Sequence, residues 1–277
     1  MTEDQFLLRF SELSAAQDRA AALVLPALDK NLISSLKLCG GTALSRFYLN
    51  HRLSYDLDFF VPSGVGFDAQ DLANRISKLI KISSLELTHD TVKADQLHFM
   101  IMADERTPIK ISFVEDMYSH VYPLEPRGLS IGSTVIATEP VEGLYYRKLR
   151  TVVGWADSHS EFPQGGRQTA RDMFDLYVLS HSVMPLRQFI EGVPDAFPIS
   201  AFENGLANMP WFDIAPELSE TVAAPAWNSG KDVEVLQKRL YEDLGMKVLT
   251  GESSPEADDQ VEPAEEPRRG FFRRRGP

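Results

Sequence analysis

Two aspartates separated by one apolar residue carry the strongest chemical signal in the sequence. Asp56 and Asp58 lie in the segment DLDFFV (residues 56–61), whose alternation of acidic and large apolar residues predicts a β-strand. Side chains two residues apart on a strand point to one face, so the two carboxylates lie close together and repel each other. Mg²⁺ suits such a pair, because it is held by one or two carboxylates together with substrate phosphates. The pair therefore predicts a Mg²⁺ site at the margin of a buried sheet.

A pair of glycines precedes these aspartates. Gly40 and Gly41 follow a short strand candidate, LKLC (residues 36–39), and Thr42 is the predicted N-cap of the helix TALSRFYLN (residues 42–50). Adjacent glycines let the backbone approach a ligand closely, and amides at a helix N-terminus favour anions such as a triphosphate. The order strand, Gly-Gly-Thr, helix, Asp-Leu-Asp therefore predicts that phosphates and a metal ion share one site.

Positive charge is concentrated further along the chain. Arg147, Lys148 and Arg150 lie on one predicted helix, and Arg167 and Arg171 follow it. These five cations, beside a suspected phosphate site, favour an anion-binding cleft. The alternative is an ordinary charged helix face whose residues pair with partners four positions away.

Two more aspartates and one arginine have two interpretations each. Asp172 and Asp175 are three residues apart on a predicted helix and lie nearly on one face, where at least one of them reaches the edge of the apolar stripe. Arg171 could instead pair with Asp175 as an ordinary i,i+4 pair. Arg52 either pairs with one of the strand aspartates or touches phosphate, or it simply closes the helix before the strand. We include Arg52 among the candidate nucleotide-binding residues.

The pattern of elements predicts an α/β half followed by a helical half. After the predicted strand at residues 56–61 come a helix from Asp68 and three strand-like runs, LELTHD, QLHFMIMA and IKISFVED. Beyond Pro140 only helical periodicity is present. We expect an α/β domain over residues 1–125 and a helical domain over 126–250 that completes the cleft. The charged, proline-punctuated residues 251–277 predict a disordered tail.

Composition limits the classes of protein that remain. The chain has 277 residues, of which 43% are hydrophobic, and no apolar run is long enough for a membrane helix. The net charge of −12 argues against extended binding of duplex DNA, whose phosphates need a broad basic face. The single cysteine, Cys39, excludes an intramolecular disulfide. Because the amino terminus lacks the hydrophobic core of a signal peptide, we expect a cytoplasmic protein without membrane contact.

The segment GGTALxxxxxxxHRxSxDLDFF resembles the signature of the AbiEii/AbiGii family, which is part of the DNA polymerase β-type nucleotidyltransferase superfamily. A second block, YYRKLRTVV followed by GRQTARDMFDLYVL, is similar to the family's downstream lysine and RDxxDL motifs. The resemblance covers roughly residues 35–180. It implies a nucleotidyltransferase-type mixed sheet with flanking helices, an α/β (α+β) fold followed by the helical half and the tail.

The resemblance also implies roles for particular residues. It assigns nucleotide binding to Gly40, Gly41, Thr42, Ser54 and Lys148, and catalysis to Asp56, Asp58, Lys148, Asp172 and Asp175. Asp56 and Asp58 would hold Mg²⁺, with Ser54 adding a hydroxyl beside the metal. Lys148 would reach the β- or γ-phosphate as a point charge. Asp172 or Asp175 would position Lys148, contact the nucleotide or help to activate the attacking hydroxyl.

One position departs from the superfamily pattern. A third carboxylate often comes from a later strand, and Ser112 stands at the corresponding place in the run IKISF. Glu115 follows three residues later, and strict alternation puts it on the opposite face of the strand. Three interpretations remain: a two-carboxylate site helped by Asp172 or Asp175, a slower enzyme, or a nucleotide binder.

The leading hypothesis is a Mg²⁺-dependent nucleotidyltransferase that moves NMP from an NTP to a hydroxyl group. Relatives favour a tRNA 3′ end as the acceptor. They also imply that the protein acts as the toxin of a bacterial toxin–antitoxin or abortive-infection system, with a cognate antitoxin as its partner. The alternatives are a transferase that acts on a protein or small-molecule hydroxyl, and a catalytically weak nucleotide-binding interaction protein.

Overall fold

The structure is a computed structural model that describes residues 1–82, 84–89, 94–116, 122–132, 134–153, 169–193 and 198–247. The predicted disordered tail, residues 251–277, lies outside the described residues, as does Arg167. The strands are β1 (Lys37–Cys39), β2 (Asp56–Pro62), β3 (Ser84–His89), β4 (Ala94–Met102), β5 (Pro108–Asp116), β6 (Glu125–Ile131) and β7 (Thr134–Thr138).

Most of the described helices follow the sheet in the chain. They are α1 (Glu3–Val24), α2 (Lys30–Ser35), α3 (Gly40–Leu44), α4 (Ala69–Leu79), α5 (Val141–Val153), α6 (Ala170–Ser182), α7 (Leu186–Gly192), α8 (Ile199–Ala207), α9 (Trp211–Glu220) and α10 (Val233–Leu244). A π-helical turn (Ser45–Leu49) extends α3, and 3₁₀ turns span Leu25–Ala27 and Pro225–Lys231. None of the described helices is both long and apolar enough to cross a membrane.

The seven strands form one mixed sheet in the order β3-β4-β5-β2-β1-β7-β6. β2 runs parallel to β5 and β1 runs parallel to β7, whereas the other neighbouring strands are antiparallel. One face of the central strands carries the fully buried apolar residues Leu38, Leu57, Phe59, Ile111 and Phe113. Because side chains alternate along a strand, Asp56 and Asp58 lie on the opposite face.

The predicted mixed sheet with flanking helices is confirmed, and so are the five strands expected up to residue 116. β6 and β7 were not predicted. Their sequences, EPRGLSI and TVIAT, are short and carry few large apolar residues, so the alternation signal is weak. β7 follows the domain boundary expected at residue 125, and it pairs with β1, which precedes that boundary. The sheet therefore contains residues from both sides of it.

The helix after β1 begins earlier than the sequence suggested. It starts at Gly40, with Cys39 as the preceding residue, and therefore the prediction that Thr42 caps the helix was wrong. Gly40 has φ +73, a left-handed conformation that glycine adopts without strain. The chain therefore turns from strand to helix at Gly40 itself. α3 contacts both α5 and α6, which brings the helical part of the chain against the glycine turn.

Candidate active site

Asp56 and Asp58 are the first and third residues of β2, a central strand of the sheet, and both are partly exposed. Asp58 lies opposite Cys39 of β1 and opposite Ser112 of β5. The Oδ2 atom of Asp56 is 3.7 Å from the guanidinium of Arg171, whose other contact is Glu217 at 3.6 Å. Arg171 therefore pairs with a strand aspartate rather than with Asp175, and its side chain remains 46% exposed.

The two glycines leave room for two charged side chains. A Cβ atom on Gly40 would overlap the carboxylate of Asp58, and one on Gly41 would overlap the guanidinium of Arg52. Ser54 Oγ would lie 3.0 Å from that second Cβ. Gly40 is partly exposed, whereas Gly41 is buried. The side chains of Asp58 and Arg52 thus pack against Gly40 and Gly41, and of these two glycines only Gly40 is also partly exposed to solvent.

Thr42 and Ser54 connect α3 to the beginning of β2. The Thr42 hydroxyl donates to the backbone carbonyl of Asp56 and lies 3.4 Å from that of Ser54. Gln17 of α1 donates to the Ser54 carbonyl at 2.7 Å. Thr42 is buried, so its hydroxyl holds the strand that carries the aspartates instead of pointing into the open site.

A buried ion cluster lies behind the glycine turn, and we call it the Asp175 cluster. Arg52 binds Asp175 through two hydrogen bonds of 2.6 and 2.8 Å. Lys148 contacts Asp175 at 2.7 Å and Asp172 at 2.5 Å, and His51 Nε2 is 2.7 Å from Asp175. All five residues are almost fully buried.

The charges of this cluster balance. Burial by itself would raise the pKa of Asp175, but Arg52 and Lys148 outweigh it and hold the pKa well below its usual range. Burial lowers the pKa of His51 more than its hydrogen bond to Asp175 raises it, so the imidazole is neutral. Two cations thus face two carboxylates, and the cluster presents no net charge to a phosphate.

A second balanced cluster accounts for Arg147. Its guanidinium binds Glu139 at 2.6 Å and Asp116 at 2.8 Å, and Lys37 contacts the same two carboxylates at 3.2 and 2.5 Å. Arg147 and Lys148 are therefore neutralised in buried, long-range pairs, which differs from both an open anion-binding cleft and an ordinary helix face. Of the described arginines on these helices, Arg171 is the one that reaches Asp56.

Ser112, which the sequence placed at the position of the superfamily's third carboxylate, pairs with Asp58 across β2 and β5. Its side chain is buried on the same face as Asp58, and His98 Nδ1 lies 3.0 Å from its hydroxyl oxygen. Glu115 pairs in register with Val61 and accepts a hydrogen bond from Ser63 at 3.3 Å. It therefore faces away from Asp58, as the alternation of the strand predicted.

A cavity of about 610 Å³ opens beside the beginning of β2. Among the residues that line it are Arg9, Glu12, Arg19, Tyr55, Asp104 and Arg106. Arg19 pairs with Asp104 at 2.6 Å, and Tyr55, which directly precedes Asp56, is 41% exposed. Sequence reasoning missed this arginine-lined cavity, because its cations come from α1 and from the turn between β4 and β5, with no shared spacing.

The two carboxylates at the beginning of β2 fit a divalent cation that is shared with a substrate. Asp56 and Asp58 are hard oxygen ligands on one face, and the ion pair of Asp56 with the exposed Arg171 is long, at 3.7 Å. Within the described residues no group of three or more His, Cys, Asp or Glu side chains could hold a metal alone. The site therefore fits Mg²⁺ held jointly by two carboxylates and phosphate oxygens.

A mixed sheet that presents Gly-Gly before a helix and Asp-x-Asp on the next strand defines a nucleotidyltransferase. The chain belongs to the family described as "Nucleotidyl transferase AbiEii toxin, Type IV TA system", whose model matches residues 23–201. It is accordingly a nucleotidyltransferase of a toxin–antitoxin toxin family. The comparison with curated proteins finds no match.

Two solved structures are among those similar to this chain. JHP933 from Helicobacter pylori is 18% identical, with a TM-score of 0.42 and coverage of 88% of this chain and 92% of that one. MenT4, a nucleotidyltransferase toxin from Mycobacterium tuberculosis, is 15% identical, with a TM-score of 0.42 and coverage of 90% and 91%.

The glycine turn yields a prediction with a matched control. Gly40→Ala and Gly64→Ala both place a side chain at positive φ, which costs about 1–2 kcal/mol. Only at Gly40 does the new methyl group also displace a carboxylate, that of Asp58, since Gly64 has open space around it. We expect similar melting temperatures for the two variants but loss of Mg²⁺-dependent nucleotide binding, measured by calorimetry, for Gly40→Ala alone. Equal nucleotide binding by the two variants would contradict this assignment.

The Asp175 cluster predicts a large cost for breaking one partner. Asp175→Asn removes the buried carboxylate bound by Arg52 and leaves Lys148 with Asp172 alone, so it should lower the free energy of unfolding by about 3–5 kcal/mol, as measured by urea denaturation. The exposed pair of Lys238 and Glu242 supplies the control, because Glu242→Gln should change that free energy by less than about 0.5 kcal/mol. A cost at Asp175 no larger than that at Glu242 would show that the cluster contributes little.

Proposed function

We propose that this protein transfers NMP from an NTP to the 3′-terminal hydroxyl of a tRNA, with Mg²⁺ held by Asp56 and Asp58. Membership of the nucleotidyl transferase AbiEii toxin family supports the transfer reaction. The observation that carries the site assignment is the partly exposed pair of carboxylates on β2, of which Asp58 lies against Gly40. When bound there, Mg²⁺ supplies neutralisation of the triphosphate and orientation of the α-phosphorus.

The residues around the aspartates would act mainly by position. Gly40 would accept the phosphates against its backbone, because it is the glycine of the pair that is open to solvent. Arg171, half-exposed beside Asp56, would move to contact a phosphate when the nucleotide enters. The acceptor oxygen would then attack the α-phosphorus in line, and the bond from that phosphorus to pyrophosphate would break.

The other candidate residues would hold this geometry. Thr42 and Ser54 would fix the beginning of β2, and Arg52 would fix Gly41 through its bidentate pair with Asp175. Lys148 and Asp172 would complete the same buried cluster. In this proposal Lys148 acts through Asp175 instead of binding a phosphate, because its ammonium group is already shared between two carboxylates.

The arginine-lined cavity supports a nucleic-acid acceptor. Arg9 and Arg106 can bind backbone phosphates, and Tyr55 offers an aromatic face for a base at the position directly before Asp56. A short single-stranded end is compatible with the net charge of −12, because only a few nucleotides enter a local basic site. A toxin of this kind would act in the cytoplasm and would be restrained by a cognate antitoxin.

The direct test of the reaction is label transfer from each of the four α-³²P NTPs in the presence of Mg²⁺ and total tRNA. We expect one NTP to label tRNA, and we expect Asp56→Ala/Asp58→Ala to lower the rate at least about 1,000-fold, since the metal site is lost. Chelation of Mg²⁺ should have the same effect, whereas the surface variant Asp71→Ala should label at the wild-type rate. Unlabelled tRNA together with a labelled protein would replace the tRNA with a protein hydroxyl, and label transfer by the double variant would refute the metal site.

The acceptor cavity gives a separate prediction. Arg9→Glu/Arg106→Glu should raise KM for tRNA about 10-fold or more at moderate salt and leave KM for the NTP unchanged, because phosphate contacts are lost. Lys78→Glu/Lys81→Glu carries the same change of net charge on exposed residues and is the control. Equal KM values for tRNA in the two double variants would place the acceptor elsewhere.

A further inference from the structure

Within the described residues, the partner of Asp58 on β5 is a serine and not a third carboxylate. Ser112 is beside Asp58 across the β2–β5 pairing, and His98 is beside Ser112 across the β4–β5 pairing. Directly paired residues of a sheet share a face. Asp58, Ser112 and His98 therefore form one row across three strands, on the face that carries the candidate active site.

Two contacts of His98 favour one tautomer. Gln96 Oε1 lies 3.1 Å from His98 Nε2, and because an amide oxygen can only accept, Nε2 is the donor in this contact. In the tautomer that carries its proton on Nε2, His98 Nδ1 accepts a hydrogen bond from the Ser112 hydroxyl at 3.0 Å. Ser112 is buried whereas His98 is half-buried, so the chain of hydrogen bonds runs from beside Asp58 toward solvent.

Three of the described carboxylates near the site are poorly placed to accept a proton. Asp172 and Asp175 are fully buried and share Lys148 in the Asp175 cluster. The pKa of Asp175 is held well below its usual range: burial would raise it, but Arg52 and Lys148 outweigh that effect. Glu115 lies on the opposite face of β5. The Ser112–His98 pair, in contrast, lies beside Asp58 on the same face.

We propose that Ser112 and His98 together accept the proton of the acceptor hydroxyl during nucleotidyl transfer, an inference that rests on the proposed function. As the acceptor oxygen forms its bond to the α-phosphorus and the bond to pyrophosphate breaks, the hydroxyl proton passes to Ser112 Oγ. The proton already on Ser112 passes to His98 Nδ1. Gln96 holds the resulting imidazolium through Nε2, and His98 releases its extra proton to water.

The test measures single-turnover label transfer and NTP affinity for His98→Asn, Ser112→Ala and the double variant. Asparagine can still accept a hydrogen bond from Ser112 but cannot take up the proton. A positioned general base contributes about 100- to 10,000-fold, so each single variant should transfer at least about 100-fold more slowly with NTP affinity unchanged. Because the two residues act as one unit, the double variant should be no slower than the slower single variant. Met102→Ala, exposed on the same strand, is the control.

Three results would overturn the proposal while leaving the proposed function intact. These are a wild-type rate for His98→Asn, a fall in NTP affinity as large as the fall in rate, and a double variant whose loss is the product of the two single losses. A wild-type protein that transfers no label to any acceptor would instead refute the proposed function, and the inference with it.

Discussion

The bidentate ion pair between Arg52 and Asp175 is the contact on which the site depends. It joins the segment before β2 to α6, and the same guanidinium rests on Gly41, where no side chain could fit. Breaking a buried pair leaves an uncompensated charge, which costs far more than the intact pair gains. The ion pair therefore fixes the position of the glycine turn, and the Asp58 carboxylate packs against Gly40 in that turn.

The distribution of charge separates structural from chemical roles. The Asp175 cluster and the cluster around Arg147 each contain two cations and two carboxylates, and both are buried. Asp56 and Asp58 differ from both clusters, since they are partly exposed and the ion pair of Asp56 with Arg171 spans 3.7 Å. In the proposed reaction a divalent cation with a triphosphate would bind at that position, which links the fold to the reaction.

The sequence predicted the fold and the shared face of Asp56 and Asp58, because both follow from local alternation and from two ordered motif blocks. It did not reveal that Asp175 is the buried partner of Arg52, since this pair joins residues more than 120 positions apart. It also missed β6 and β7, whose weak alternation is stabilised by pairing within the sheet. The place of His98 beside Ser112 depends on the strand register, which no spacing in the sequence encodes.

The most direct measurement is a crystal structure of the protein with Mg²⁺ and a non-hydrolysable NTP. We expect a metal ion bound by Asp56 and Asp58, phosphates against Gly40, and Lys148 still paired with Asp172 and Asp175. A nucleotide bound away from the strand aspartates, or a Lys148 ammonium group that has left the cluster to bind a phosphate, would contradict this expectation.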